Sequence, residues 1–366
     1  MASVSRPAAV LDADLSADLY GVLAAALADK QRQCSLIDPS VAAACGMLSE
    51  FVLSGGKRLR PTFAWWGWRG ASGAHADGPA VLRAIAALEL VQAAALLHDD
   101  VLDESTTRRG RPTVHVQFAE AHRAAGWFGD ATRFGMAGAI LLGDIALTCA
   151  DDLLRDAGLP PEALHRASPV WTAMRTEVLG GQYLDVRAQA SGDESEESAL
   201  RVALFKSAAY TVARPLQLGG AFAGAPEQLM DAYHRFGSDV GVAFQLRDDL
   251  LGVFGDPEVT GKPAGDDLRE GKRTLLVALA LRTAAQGGRP AAGDAVRAAL
   301  GRPSLTAAEL DTARSALVEL GAVRAVERRI ANLTESALGI LDSAQLPPPA
   351  AAKLAELALA ATHRDS

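Results

Sequence analysis

The stretch Ala84-Ile85-Ala86-Ala87-Leu88-Glu89-Leu90-Val91-Gln92-Ala93-Ala94-Ala95-Leu96-Leu97-His98-Asp99-Asp100-Val101-Leu102-Asp103-Glu104 is an apolar helix that ends in carboxylates. Its apolar residues recur at helical spacing, and no strand-like alternation interrupts them. Asp99 and Asp103 stand four residues apart, so their carboxylates share one helix face, one turn apart. Like charges so placed cost helix stability, and negative charge at a helix C-terminus opposes the macrodipole. A solvated helix end is one reading. A hard cation is the other: Mg²⁺ takes a few carboxylate oxygens, waters and phosphate oxygens. Arg108-Arg109-Gly110 follows closely enough for two guanidiniums to face one anion.

A second apolar helix ends the same way, in Phe244-Gln245-Leu246-Arg247-Asp248-Asp249-Leu250-Leu251-Gly252, with Lys262 and Lys272 downstream. Two such pairs, each followed by cations, suggest facing Mg²⁺ sites that grip one diphosphate. The metals would neutralise a leaving group while Lys and Arg take the remaining oxygens. Arginine far outnumbers lysine, and four of the few lysines stand beside Gly, Asp or Ser/Thr clusters. These are Gly55-Gly56-Lys57-Arg58, Phe205-Lys206-Ser207, Gly261-Lys262-Pro263 and Gly271-Lys272-Arg273-Thr274. Lysine is a compact point charge suited to phosphate oxygens, although surface loops carry such combinations without binding anything.

Helical periodicity extends through the rest of the 366 residues, 49% of them hydrophobic and 5% aromatic. The expected fold is all-α, one large helical bundle over residues 1–366, with an N-terminal helical segment at 1–35 and an acidic surface loop at 186–199. Expected helices include Pro39–Leu53, Pro79–Leu102, Gly138–Ala157, Pro161–Ala190, an unbroken Glu197–Ala221, and Pro226–Gly252. Breaks are expected where Gly and Pro cluster, as at Gly110-Arg111-Pro112 and Gly255–Gly271. Such a chain buries a core without disulfides. Cys34, Cys45 and Cys149, odd in number and scattered, speak for a reducing cytoplasm rather than a disulfide framework. The segment Met1–Ser16, with Asp12 and Asp14, does not read as a signal peptide. The most apolar stretches are interrupted by Glu89, Gln92 and Asp144, so no stable membrane insertion is expected. A net charge of −8 argues against a general nucleic-acid binder. Trp65, Trp66 and Trp68 read as core or subunit packing.

Six motifs occur in order: Gly-Gly-Lys-Arg-Leu-Arg-Pro at 55–61; Asp-Asp-Val-Leu-Asp then Arg-Arg-Gly within 99–110; Gly-Gly-Gln-Tyr-Leu-Asp at 180–185; Lys-Ser-Ala-Ala-Tyr-Thr at 206–211; Phe-Gln-Leu-Arg-Asp-Asp at 244–249; and Gly-Lys, Gly-Asp-Asp and Gly-Lys-Arg-Thr within 261–274. Together they resemble the trans-isoprenyl diphosphate synthases, the polyprenyl synthetase family, in its actinobacterial geranylgeranyl type. The resemblance implies the isoprenoid synthase bundle with a central active-site cavity, working as a homodimer. It implies a prenyltransferase that ionises an allylic diphosphate with three Mg²⁺, whereupon C4 of isopentenyl diphosphate attacks in a head-to-tail 1′–4 condensation. Proton loss then leaves a trans double bond, and the departing pyrophosphate can take that proton. By resemblance Asp99 and Asp103 hold two Mg²⁺ and Asp248 the third, with Asp100 and Asp249 behind or more weakly bound. Arg108, Lys206, Lys262 and Lys272 would bind the allylic diphosphate; Lys57, Arg60, Gln92 and Arg109 that of isopentenyl diphosphate. Ser207, Gln245 and Gln182 beside Asp185 would turn oxygen dipoles to the cation. The chain departs from the family in having Gln92 where His is common and Gly252 where a third Asp is common. Gly252→Asp is expected to change activity little.

The family's elongation pocket ends just before the first cluster, where Ala94 and Ala95 leave room for a tail longer than farnesyl. A C20 product, geranylgeranyl diphosphate, is expected, with farnesyl or longer products as alternatives. A terpene cyclase would lack Gly55–Arg60 and Lys206. A non-catalytic regulatory subunit would lack Asp99, Asp103 or Arg108. A Ca²⁺ loop would need a Gly-turned twelve-residue segment.

Overall fold

The computed structural model describes residues 8–71, 78–256 and 265–362. The helices in chain order are α1 (Ala8–Ala13), α2 (Leu15–Ser35), α3 (Pro39–Leu53), α4 (Leu59–Gly70), α5 (Gly78–Leu102), α6 (Val114–Ala124), α7 (Ala131–Arg155), α8 (Pro161–Ser191), α9 (Glu196–Val202), a π-helical segment (Ala203–Ala213), α10 (Arg214–Ala223) and α11 (Glu227–Phe254). After α12 (Asp266–Glu270) come α13 (Leu275–Gln286), α14 (Pro290–Ala299), α15 (Ala307–Glu319), α16 (Ala322–Ser343) and α17 (Pro348–Thr362). Strands are confined, among the described residues, to β1 (Thr107–Arg108) and β2 (Arg111–Pro112), an antiparallel ribbon at the expected Gly110 break. The all-α expectation holds.

Local chemistry sets the helix ends. Asp38 accepts the Ser40 amide at 2.8 Å and Pro39 opens α3, satisfying an orphan donor where Pro has none to lose. Thr306 and Glu309 form a reciprocal capping box on α15.

Helix α5 is apolar all round and lies at the centre, with Ala84, Ile85, Ala86, Ala87 and Leu88 wholly buried; a helix hydrophobic on every side must be enclosed. Helices α5 and α7 are long and apolar enough to cross a bilayer by length and composition, contrary to expectation, because Glu89, Gln92 and Asp144 are too sparse to lower the average. In α5 that apolar window is 78% buried within the fold, as befits a core helix. The three neighbouring tryptophans of α4 are buried, and Trp65 donates to Asp12 at 2.8 Å. The core forms two clusters, one around α4, α5, α7 and α10, the other around α13 to α16. Helix α11 contributes to both and carries the second aspartate cluster between them.

Several boundaries differ from expectation. Helix α7 begins at Ala131, and α6 precedes it where no helix was expected. The acidic loop is shorter than 186–199: α8 continues to Ser191, Gly192 ends it in the left-handed region at φ +66°, and α9 begins at Glu196. Glu194 in that turn pairs with Arg297 at 2.9 Å. The expected helix Glu197–Ala221 is interrupted by the π-helical segment. Pro215 cannot donate to the Thr211 carbonyl and its ring crowds that turn. A widened turn accommodates both, and π-helical turns are frequent at functional sites.

Candidate active site

The C-terminal ends of α5 and α11 meet at a cavity of about 700 Å³. Helix α5 presents Gln92, Ala95, Leu96 and Asp99 to it, and α11 presents Phe244, Gln245, Asp248, Asp249 and Gly252. Gln92, Ala95 and Asp99 line it together because steps of three and four residues repeat one helix face. The π-helical segment adds Lys206, Ser207, Tyr210 and Thr211, and the loop after α3 adds Gly55, Gly56 and Lys57. The two aspartate clusters face a common space, as expected.

Lysines bridge the carboxylates. The Lys206 ammonium lies 2.5 Å from Asp185 and 3.0 Å from Asp99, and the Gln182 amide donates to Asp99 at 3.0 Å. Lys206 gets this close because Gly181 on α8 has no side chain: a β-carbon there would collide with the backbone at Phe205 and Lys206. Burial acts to raise Asp99, but Lys206, Lys272 and Arg108 outweigh it and hold the carboxyl well below its ordinary range. Burial also opposes the charge on Lys206, yet Asp99 and Asp185 keep it firmly protonated. Lys272 lies 2.6 Å from Glu270, 3.3 Å from Asp103 and 3.8 Å from Asp267. Asp103 is shifted upward, by burial first, despite Lys272.

The second cluster has different company. Asp249 is buried and accepts from the Gln245 amide at 2.7 Å. Burial first, then Asp267 and Asp248, push it up to about 8. Arg247 points the other way, gripping Glu327 with both terminal nitrogens at 2.6 and 2.7 Å and so tying α11 to α16.

Asp100 and Arg108 stand behind the first cluster. Asp100 is 1% exposed and accepts from Arg108 Nε at 2.7 Å, while the same guanidinium reaches Asp99 at 3.4 Å. Arg60 donates to Gln92 and, at 2.8 Å, to the Thr211 hydroxyl, and lies 4.0 Å over the Tyr210 ring. Arg109 donates to the Gly55 carbonyl at 2.8 Å. Arg58, to which sequence reading gave no role, is buried, pairs with Glu89, and donates to the Val52 carbonyl at 2.7 Å. That buried pair anchors the glycine loop to α5, and Arg58 itself takes φ +49°.

Some expectations are amended. Ala95 lines the cavity, but Ala94 faces the core at 3% exposure, one helix step out of phase. Lys262 lies outside the described residues. The space beside Gly252 is filled: a β-carbon there would stand 2.9 Å from Asp267 Oδ1 and closer still to the rest of that carboxylate. An aspartate at 252 would therefore have to move the Asp267 carboxylate, the far end of a side chain. Asp267, Asp185, Tyr210 and Thr211 belong to the site although none was assigned a binding role; their signal was membership of the ordered motifs.

The donor set fits Mg²⁺. Every acidic group lining the cavity offers hard oxygen, and among the described residues no His or Cys lines it. Among the described residues no three His, Cys, Asp or Glu side chains converge on one point. Each ion would thus take one or two carboxylates and complete its shell with water and ligand oxygens, the habit of Mg²⁺.

Comparison with known proteins agrees with this geometry. The polyprenyl synthetase model matches residues 42–313. The geranylgeranyl pyrophosphate synthase of Corynebacterium glutamicum, in a structure complexed with isoprenyl diphosphate and magnesium, is 47% identical with a TM-score of 0.91, covering 94% of this chain and 97% of that one. The geranylfarnesyl diphosphate synthase of Aeropyrum pernix is 33% identical over 299 residues, 81% of this chain and 86% of that protein. The (2E,6E)-farnesyl diphosphate synthase of Mycobacterium tuberculosis is 34% identical over 222 residues, 61% of this chain and 56% of that protein. With two acidic helix ends around one cation-lined cavity and a family match across most of its length, the chain belongs to the polyprenyl synthetase family of trans-prenyltransferases.

Proposed function

We propose that the protein condenses isopentenyl diphosphate with allylic diphosphates in a Mg²⁺-dependent, head-to-tail reaction that yields geranylgeranyl diphosphate. The carrying observation is the pair of acidic helix ends facing one cavity, with Lys206 and Lys272 poised against the first. Asp99, Asp103 and Asp248 would hold three ions, and Mg²⁺ bound there supplies the Lewis acidity that stabilises a departing diphosphate. Lys206 and Lys272 already point at the carboxylates and would share their charge with the allylic diphosphate, joined by Lys262. Arg108 stiffens Asp99 and Asp100 from behind and lends charge to the same group. Lys57, Arg60, Gln92 and Arg109 would take the diphosphate of isopentenyl diphosphate on the glycine-loop side. The Ser207 hydroxyl and Gln245 carboxamide oxygen would offer dipoles to the developing cation. Ala95, one turn deeper than Asp99, leaves the tail room to lengthen. Relatives named for C15, C20 and C25 products (farnesyl, geranylgeranyl and geranylfarnesyl) support a reading in which the pocket, rather than family membership, decides length.

Activity is assigned to a homodimer. Leu102, Trp127, Phe128, Phe134, Ile140, Leu141, Leu179 and Tyr183 are all exposed, on and around α5, α7 and α8. Exposed apolar groups of this extent mark an interaction surface that a second copy would cover.

The test incubates purified protein with Mg²⁺, isopentenyl diphosphate and, separately, dimethylallyl, geranyl and farnesyl diphosphate, and resolves products by length. A predominantly C20 product is expected. A C15 or C30 product would keep the reaction and discard the pocket reading; no elongation from any primer would discard the synthase.

A further inference from the structure

Cys34, Cys45 and Cys149 are scattered along the chain but converge in the fold, where α2, α3 and α7 meet. All three are buried free thiols. Helices α2 and α3 are joined by only Leu36, Ile37 and Asp38, and a connection that short holds two helices against each other as an antiparallel hairpin. The hairpin brings Cys34 and Cys45, eleven residues apart, to a sulfur–sulfur distance of 2.8 Å. A disulfide bond is about 2.0 Å long, so the two sulfurs need to close by only about 1 Å. Cys149 on α7 lies within electrostatic reach of both. Lys30, one turn before Cys34, ties the cluster together by pairing with Asp152 of α7 at 3.0 Å. We propose that Cys34 and Cys45 are a modification site, oxidised by a low-molecular-weight disulfide to a reversible staple that joins α2 to α3 and strengthens the fold under oxidising conditions. In a reducing compartment the pair rests as thiols. Neither cysteine lines the cavity described above, so the staple does not depend on the synthase reading.

The steps balance. Burial pushes the Cys149 thiol up to about 11, and burial with the neighbouring Cys34 thiol pushes Cys45 up to about 12, so neither starts the exchange. Cys34 is the point of entry. It lies in the last turn of α2, beside Leu36 and Ile37 at 88% and 76% exposure, and its carbonyl accepts the Ile37 and Asp38 amides at 3.0 and 3.2 Å. Helix ends open locally at little cost, and opening of that turn uncovers Cys34 first. Its thiolate attacks one sulfur of the reagent disulfide, whose S–S bond breaks and releases one thiol, and Cys34 is left in a mixed disulfide. When the turn closes, Cys45 attacks the Cys34 sulfur and releases the second thiol. Contact within the fold gives this step a high effective concentration, which offsets the protonation of Cys45. Two protein thiols are oxidised, one reagent disulfide is reduced, and the two protein protons end on the released thiols.

The experiment equilibrates the full chain with oxidised and reduced glutathione at graded ratios, in native buffer and in denaturant. Remaining thiols are trapped by alkylation, counted by intact mass and located by non-reducing peptide mapping. Wild type is compared with Cys34→Ser, Cys45→Ser and Cys149→Ser, with circular dichroism as the folding check. Folded wild type should lose two of its three thiols to a Cys34–Cys45 link and keep Cys149 free. Cys149→Ser should form the same link, Cys45→Ser should stop at one glutathione on Cys34, and Cys34→Ser should form no link. Folding should favour the link by about tenfold or more over the denatured chain. By linkage the bond then favours the fold by the same factor, so the oxidised protein should melt at a higher temperature than the reduced one. Wild type that keeps all three thiols at the most oxidising ratio would overturn the proposal, as would a link through Cys149 or one formed equally well in denaturant. So would an oxidised protein that melts no higher than the reduced one. If the serine variants fail to fold, the thiol count, peptide map and melting temperature of wild type decide alone.

Discussion

The two aspartate clusters use the same residues on the same kind of helix end, yet they meet opposite surroundings. Asp99 is met by Lys206 and Arg108, and Asp103 by Lys272. Asp249 is met by an amide and by further carboxylates. One carboxyl is accordingly held well below its ordinary range and the other pushed up to about 8. Charge on Asp99 is balanced by the protein before any ligand arrives, so the lysines are already aimed, while Asp103 stays shifted upward by burial despite Lys272. Charge at the second is left for a cation from solution to balance. The clusters are complementary halves of one site rather than duplicates.

That contrast predicts unequal losses. Asp99→Ala and Asp103→Ala should each lower turnover on the order of a thousandfold, since each removes a cation-holding group where charge develops. Asp249→Asn should lower it only about tenfold, the scale of a group supporting a metal from behind. Steady-state rates with circular dichroism as the folding check would decide. Equal losses would make the clusters equivalent and break the comparison.

Lys206 tests the idea of prior balance. Lys206→Met should lower activity about a hundredfold and destabilise the ligand-free protein by about 3 kcal/mol, because Asp99 and Asp185 would stay buried without their cation. Mg²⁺ with pyrophosphate should recover part of that stability by supplying charge in its place. Thermal melts with and without Mg²⁺ would show this; a variant as stable as wild type in metal-free buffer would refute the balance.

Much of this contrast was legible in the sequence, and some of it could not be. The helices α3, α5 and α11 followed from apolar periodicity, the first aspartate cluster from carboxylates four residues apart on one face, and the second from an adjacent pair ending an apolar helix. The facing of the clusters followed from two aspartate pairs each trailed by cations. The π-helical segment was not legible, because it depends on Pro215 and on backbone contact across Gly181, and both are matters of packing. Helix α6 was missed because Val114–Ala124 carries a weakly apolar mixture with no run to flag it. Ala94 and Ala95 were equivalent on paper, yet one helix step turns Ala94 to the core. The contact between Gly252 and Asp267 joins residues from separate helices, so no local pattern encodes it.

The cavity wall extends the comparison one turn deeper. Four residues before Asp99 stands Ala95; four before Asp248 stands Phe244, and both line the cavity. The α5 wall is open and the α11 wall is filled. Ala95→Phe should therefore shorten the main product by one or more C5 units, because a ring of that size takes the room the tail needs. Phe244→Ala should shift the distribution less and toward longer chains, since it widens a wall that does not end the pocket. Product length after dephosphorylation is the readout. An unshortened product from Ala95→Phe would place the floor on another helix.

The smallest expected effect concerns pH, and there Asp99 and Asp249 should act with opposite sign. Asp99 has a folded value below its unfolded one, so the stability it contributes is present above about pH 4 and is lost as pH falls through the folded value. Asp249 has a folded value of about 8 against an ordinary 3.8. Between those values the native state holds a proton that the unfolded chain has released, so stability falls as pH rises through that window and levels above it. Metal-free protein should thus melt at progressively lower temperature from about pH 5 to pH 8. Asp249→Asn should flatten that limb while leaving the acid limb in place, and Asp99→Asn should change the acid limb instead. Mg²⁺ with pyrophosphate should flatten the upper limb in wild type, because a bound cation favours the ionised carboxylate. If Asp249→Asn kept the full slope, the second cluster would not be the uncompensated half of the site.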